Sequence, residues 1–404
     1  MLREGLVVVL FFVATSQGCA HAPCPAAVTE PESGHAAAEN ATGASPQAPP
    51  AVVLAPDLAA CLSPEGLEDD AAVAALSIPA LPGWTDRFAV DGVEMRFFNQ
   101  DLLMTHCALD RLAAAELQNR YRDIVRAEPE VARVEAFNRA LTELRRRGYE
   151  SGVDPAVLAA AELIVVFDLD ETLYDQRRAT QQCHDFGVPL ADGTTRWVAA
   201  VPGWREVLER LQALGAVVLI FSAHRDEVVW ENVRAWPWEG GQTLLDSGLV
   251  AGVFSNSYMI LQEKDSSPGG GAAARPVVIP SKDLRIFDPT LQRVIIVDDN
   301  PTRIVQAGNT RLFKKFHADV LCATDAGGAA MREAQAVAMG LVLAEIEEAL
   351  GASRAEGIPF AEAYRPYTMT GRLALDLLVA AHGWTWVEAA NYLRRHPELL
   401  DVRF

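Results

Sequence analysis

Five short runs rich in β-branched and other apolar residues constrain this chain most: Leu163–Phe167, Ala216–Phe221, Val250–Phe254, Arg293–Val297 and Asp319–Cys322. Stretches with helical spacing, such as Trp204–Leu214 and Arg225–Arg234, separate several of them. The runs do not alternate polar with apolar residues, so they cannot leave one sheet face in water. Apolar strands separated by helices predict an α/β fold with a parallel sheet covered on both faces.

The ends of those runs narrow the chemistry. The first continues into Asp168-Leu169-Asp170-Glu171-Thr172, the second into Ser222, and the fourth into Asp298-Asp299-Asn300-Pro301. In open parallel sheets ligands bind beyond the carboxyl ends of the strands. Asp168, Asp170, Asp298 and Asp299 would therefore converge on one edge with the Ser222 hydroxyl. Clustered acids repel one another, and a fold keeps them together mainly around a divalent cation. An all-oxygen donor set suits Mg²⁺ better than zinc or copper. The chain has four lysines, Lys264, Lys282, Lys314 and Lys315, and only Lys282 sits in a loop shortly before the fourth run. Plainer readings exist for each residue. The Asp168/Asp170 pair could cap a turn, Asp298–Pro301 is also good turn sequence, and Ser222 could be an ordinary strand end. His224 and Arg225 follow Ser222 closely enough to reach the substrate but read first as the start of the next helix, and Trp230, Trp236 and Trp238 as core or groove wall.

Taken in order, the DxDxT string Asp168–Thr172, Ser222, Lys282 and Asp298-Asp299 resemble the four motifs of haloacid dehalogenase (HAD) superfamily phosphatases. Ser281-Lys282-Asp283-Leu284 followed by Arg293–Pro301 is most similar to the subgroup related to RNA polymerase C-terminal-domain phosphatases, the NLI-interacting-factor-like proteins. The resemblance runs from Leu163 to Cys322. It implies a Rossmann-like core and a Mg²⁺-dependent phosphomonoester hydrolase, acting either on small phosphoesters or on phosphoproteins. Asp168 would be the nucleophile that becomes an aspartyl-phosphate. Asp170 would protonate the leaving oxygen and then activate water, a division of labour that neighbouring carboxylates suit. Thr172, Ser222 and Lys282 would bind the phosphate. The metal would be held by Asp168, the Asp170 carbonyl and the Asp298/Asp299 pair, with Asp299 favoured over Asp298 as the direct ligand.

Two features depart from that pattern. Few residues separate Leu173 from the helix near Trp204, so the cap is small or minimal and the site open to an extended or macromolecular substrate. The helical stretches at residues 57–150 or 325–404 could supply a lid instead, and the Gly/Ala/Ser/Pro insertion Ser266–Pro276 reads as a flexible loop. The other departure lies at the N-terminus. Leu6–Val13 is an apolar run too short for a membrane span, and Gly18-Cys19 resembles a bacterial lipobox. These features predict residues 1–19 as a leader with Cys19 lipidated, and 20–56 as a disordered linker. Residues 57–160 form a helical N-terminal region, 161–324 the phosphatase core and 325–404 a helical C-terminal region. The expected place is the bacterial cell envelope, with a cytoplasmic enzyme as the alternative. The formal charge of −19 opposes binding to nucleic acid. Six cysteines are scattered without metal-ligand spacing. The rival to an enzyme is a binding module of the same fold that has lost turnover; a further alternative is an intracellular phosphoprotein phosphatase. Oligomeric state is not legible.

Overall fold

The computed structural model describes residues 153–177, 183–190, 192–264, 277–318 and 326–400, the backbone of 85–90 and 93–98, and scattered positions between 119 and 139. The leader, the linker, Ser266–Pro276 and the run at 319–322 lie outside these residues, as does most of 57–150.

The expected α/β fold is present. Its centre is a five-stranded, all-parallel sheet in the order β12-β11-β3-β7-β8. The strands are β3 (Ile164–Phe167), β7 (Val217–Phe221), β8 (Gly252–Phe254), β11 (Val294–Asp298) and β12 (Thr310–Leu312). Ile164 pairs with Val217 on one side and with Val294 on the other. All four residues of β3 are buried, as a strand covered on both faces requires. Leu163, Val165 and Phe167 point into one core, which also receives helix α2 (Trp204–Ala213) and helix α3 (Asp226–Ala235). Ile164 and Val166 point into the other, against α1 (Pro155–Ala160) and the segment Leu284–Phe287. The sequence writes α1 plainly: Asp154 caps it, accepting from the Ala156 amide at 2.8 Å, and Pro155 opens it.

The fifth strand of the sheet is β12, three residues that carry no strand signal of their own. Three further sheets were not legible either. Between Leu173 and Trp204 the chain forms a three-stranded antiparallel sheet in the order β4-β6-β5, made of Tyr174–Arg177, Thr195–Ala200 and Phe186–Pro189. This is the small cap. The hairpin β9 (Ile260–Lys264) with β10 (Val277–Ser281) flanks the Gly-rich insertion, and β1 (Thr85–Val90) pairs with β2 (Val93–Phe98). Trp236 is 1% exposed, a core residue as expected. Cys183, just before β5, is disulfide-bonded to a cysteine outside the described residues.

After β12 come α4 (Ala326–Glu356), α5 (Phe360–Tyr364), α6 (Arg372–His382) and α7 (Trp386–Arg395). Met339, Val342 and Ile346 of α4 join the α2 side of the core. Buried Glu345 binds Arg311 of β12 through both oxygens, at 2.9 and 3.1 Å, and Arg372 at 2.9 Å. The Ala361 amide donates to the Gln292 carbonyl at 2.9 Å, which places α5 at the amino ends of the strands. Among the described residues no helix is long and apolar enough to cross a membrane.

Candidate active site

Strand termini deliver most of the site. Asp168 follows the last residue of β3, and its amide donates to the Val297 carbonyl at 3.0 Å, which locks it beside β11. Ser222 follows β7, Asp298 ends β11, and Asp299 comes next. Lys282 follows β10; its amide donates to the Arg303 carbonyl at 2.7 Å, and its own carbonyl accepts from Val305 at 3.0 Å. These two bonds hold the loop under the sheet edge. A tight turn carries the chain out of Asp170: the amides of Thr172, Leu173 and Tyr174 all reach the Leu169 carbonyl. Glu171 adopts φ 61° to make that turn, a left-handed conformation that costs an L-residue roughly 1–2 kcal/mol.

Asp168, Asp298 and Asp299 are buried, and one oxygen from each lies within 4.8 Å of the others. Lys282, 1% exposed, stands between two of them, with Nζ 2.7 Å from Asp168 Oδ1 and 2.6 Å from Asp298 Oδ2. Burial alone would lower the lysine, but Asp168 and Asp298 outweigh it and raise its pKa. Burial pushes Asp168 well above the usual carboxylate range; Lys282 opposes this, and the charges of Asp298 and Asp170 add to it. Burial and the Asp298 charge likewise raise Asp299. Three buried carboxyl groups thus face one buried ammonium. The donors are all hard oxygens, so the residues present fit a small dication.

These groups line a cavity of about 280 Å³ together with Asp170, Glu171, Ser222, His224, Asn300, Arg303 and Lys315. Six of the seven expected core positions, Asp168, Asp170, Ser222, Lys282, Asp298 and Asp299, are brought together there. Thr172 is not a wall of the cavity. It is fully buried behind it, and its hydroxyl donates to Asp299 Oδ1 at 3.1 Å. Both oxygens of Asp298 are engaged, one by Lys282 and the other by the Asn300 amide at 2.7 Å. The other Asp299 oxygen lies 3.3 Å from the half-exposed Lys315, which also pairs with Glu171.

Of the two readings open for His224, the structure places it at the site. Arg225 is indeed the N-cap of α3, but His224 lies in the cavity wall, its Nε2 3.3 Å from Asp170 Oδ2. The hydrogen bond to Asp170 raises the imidazole pKa. Arg303 and Lys315 are the other additions, and no motif marks them. Among the described residues none from 326–400 lines this cavity.

Residues 163–320 match the family described as NLI interacting factor-like phosphatase. Among solved structures, the chain is similar to a fission yeast RNA polymerase II CTD phosphatase Fcp1 variant bound to beryllium fluoride, with 13% identity and a TM-score of 0.28. A second structure, of Fcp1 described as an essential RNA polymerase II CTD phosphatase, shows 15% identity and a TM-score of 0.27. Each match covers 55% of this chain and spans 66% of the length of the other. No curated protein matches the chain. The family match takes in the parallel sheet and the strand-end motifs, so the segment 163–320 is similar to the NLI interacting factor-like phosphatases.

Proposed function

We propose that this chain is a Mg²⁺-dependent phosphomonoester hydrolase working through an aspartyl-phosphate on Asp168. The observation that carries the reading is the buried trio Asp168, Asp298 and Asp299 with Lys282 set between two of its members. Asp168 attacks phosphorus in line with the departing oxygen. Lys282, held by two carboxylates, supplies a fixed positive charge to the transferring group. Ser222 offers its hydroxyl to a phosphate oxygen. Asp170 hands a proton to the leaving oxygen and later takes one from the water that opens the acyl phosphate. Asp168, Asp299 and the Asp170 carbonyl would hold the cation, while Asp298 orients Lys282 and Thr172 orients Asp299. The cation, when bound, offsets the charge of the phosphoryl oxygens.

A cavity of about 280 Å³ falls at or below the small end of ligand clefts. It has room for a phosphoryl group and a small part of the substrate beside it, which favours a substrate whose bulk stays outside, such as a phosphorylated side chain of a protein. Export with lipidation of Cys19 is part of the same proposal, and the disulfide at Cys183 suits an oxidising compartment. Incorporation of radiolabelled lipid should be lost in Cys19→Ala; unchanged labelling would dispose of the anchor.

The deciding experiment is phosphate release from an aryl phosphate by the full chain, with Mg²⁺, with EDTA, and as Asp168→Asn. Activity that requires both the metal and Asp168 is expected. A folded, metal-binding protein without turnover on aryl phosphates or phosphopeptides would favour the binding module.

A further inference from the structure

Behind Asp170 runs a row of buried and half-buried polar groups that none of the four motifs contains. Arg196 of β6 is 6% exposed, Asn232 of α3 is fully buried, and Gln176 lies on β4. Asn232 sits among Val229 and Val233 on the inward face of its helix, where a polar side chain is costly unless it is bonded. It is bonded on both ends. Arg196 Nη1 donates to Asn232 Oδ1 at 2.9 Å and pairs with Glu231 at 3.1 Å. Asn232 Nδ2 donates to the Tyr174 hydroxyl at 2.7 Å and to Gln176 Oε1 at 2.9 Å. Gln176 Nε2 donates to Asp170 Oδ1 at 2.5 Å.

The sense of this row is fixed. A guanidinium has donors only, so Asn232 must turn its oxygen toward Arg196 and its NH₂ away. That NH₂ requires an acceptor, so Gln176 turns its oxygen inward and its own NH₂ toward Asp170. Each amide orientation follows from the one before it, and reversing any link sets two donors or two acceptors face to face, at a buried link for Arg196 and half-buried links for Gln176. Asp170 Oδ1 is therefore committed as an acceptor. Oδ2 is buried and faces only His224 Nε2, at 3.3 Å; it is the oxygen not held by Gln176, and so the one that can serve a leaving group.

We infer that Arg196, Asn232 and Gln176 are positioning residues that hold Asp170 in the rotation at which Oδ2 meets the leaving oxygen. The inference rests on the phosphatase reading above. It brings the cap sheet, through β4 and β6, into the chemistry as a support for the acid.

The test is Gln176→Glu in the full chain, a substitution of equal shape at a half-buried strand end that replaces the donor with an acceptor. With phenyl phosphate, whose leaving group needs a proton, kcat/KM should fall about 100-fold, within the usual range for general acid catalysis. With p-nitrophenyl phosphate, whose leaving group needs little help, the fall should stay below about threefold. Asn232→Asp, which turns an acceptor on Gln176, should give the same split between the two esters. Should Asn232→Asp fail to fold, Gln176→Glu alone decides. An equal fall on both esters, or none on either, overturns the relay while the phosphatase reading stands. Absence of Mg²⁺- and Asp168-dependent turnover in the unsubstituted chain overturns both.

Discussion

Replacing Lys282 by methionine tests the electrostatics of the site without touching any acid. The ammonium is 1% exposed and within 2.7 Å of two carboxylates. Removing one member of a buried ion pair leaves the partner uncompensated and costs about 3–5 kcal/mol. At about 2–4 °C per kcal/mol for a domain of this size, metal-free Lys282→Met should melt about 6–20 °C below the parent. The loss depends on pH, and its sign follows from Asp168. Burial holds that carboxyl above its ordinary range even with the lysine present, and without the lysine it rises further. Its unfolded value stays near about 3.9. The folded state then binds the proton more tightly than the unfolded chain. The associated stability is complete below the unfolded value and disappears as pH rises through the folded one. Lys282→Met should therefore lie closest to the parent near pH 5 and fall away toward pH 8. Mg²⁺ should narrow the gap, because a dication bound to the folded state offsets the same acids. The assay is thermal unfolding by circular dichroism across that pH range, in EDTA and in Mg²⁺. A loss below about 1 kcal/mol at pH 8 in EDTA, or one that grows toward pH 5, would refute the reasoning.

Three other substitutions probe the frame around the site. Glu345→Leu strands Arg311, which is largely buried, and should cost about 3 kcal/mol by chemical denaturation; a change under about 1 would mean that the Glu345 network is not what ties α4 to β12. Thr385→Ala removes the capping box with Glu388 at the start of α7, and a loss of about 1 kcal/mol is expected in the same measurement. At Gly371 an added Cβ would stand 2.4 Å from the Arg365 carbonyl oxygen and 2.7 Å from Pro366 Cα. Gly371→Ala should therefore cost about 1–3 kcal/mol through displaced backbone, and an unchanged melting temperature would show that the turn relaxes freely.

The central sheet was legible because a strand covered on both faces must be apolar throughout, and four of the five expected runs coincide with strands to within two residues at each end. The order of its strand-end residues was legible for the same reason, since Asp168, Ser222 and Asp298 need only the strand boundary to be placed. The cap sheet was not, because β4 reads Tyr-Asp-Gln-Arg and β5 contains glycine and proline, so neither alternation nor an apolar run announces them. β12 is too short to register as a period. Side-chain direction was out of reach as well. Nothing in the string Asp168–Thr172 says that the threonine hydroxyl turns back to Asp299, and His224 looks like any residue before a helix. Gln176, Arg196 and Asn232 come from three elements and meet only in space.

The pairing of β3 has a consequence for synthesis. Its first residue, Ile164, bonds in register with Val217, but its other neighbour, Val294, lies 130 residues (294 − 164) further along the chain. At about 5–20 residues per second, β11 leaves the ribosome roughly 7–26 s after β3. Through that interval one edge of Ile164-Val165-Val166-Phe167 has no strand to bond, and the emerging chain exposes an apolar template of the kind that chaperones shield. Ribosome-bound chains ending near residue 290 should accordingly be cut by protease around β3, and full-length chains spared. The same delay separates the acids. Asp168 is synthesised early, whereas Lys282, Asp298 and Asp299 arrive last and nearly together, so the repulsive cluster closes only when its own counter-charge is at hand.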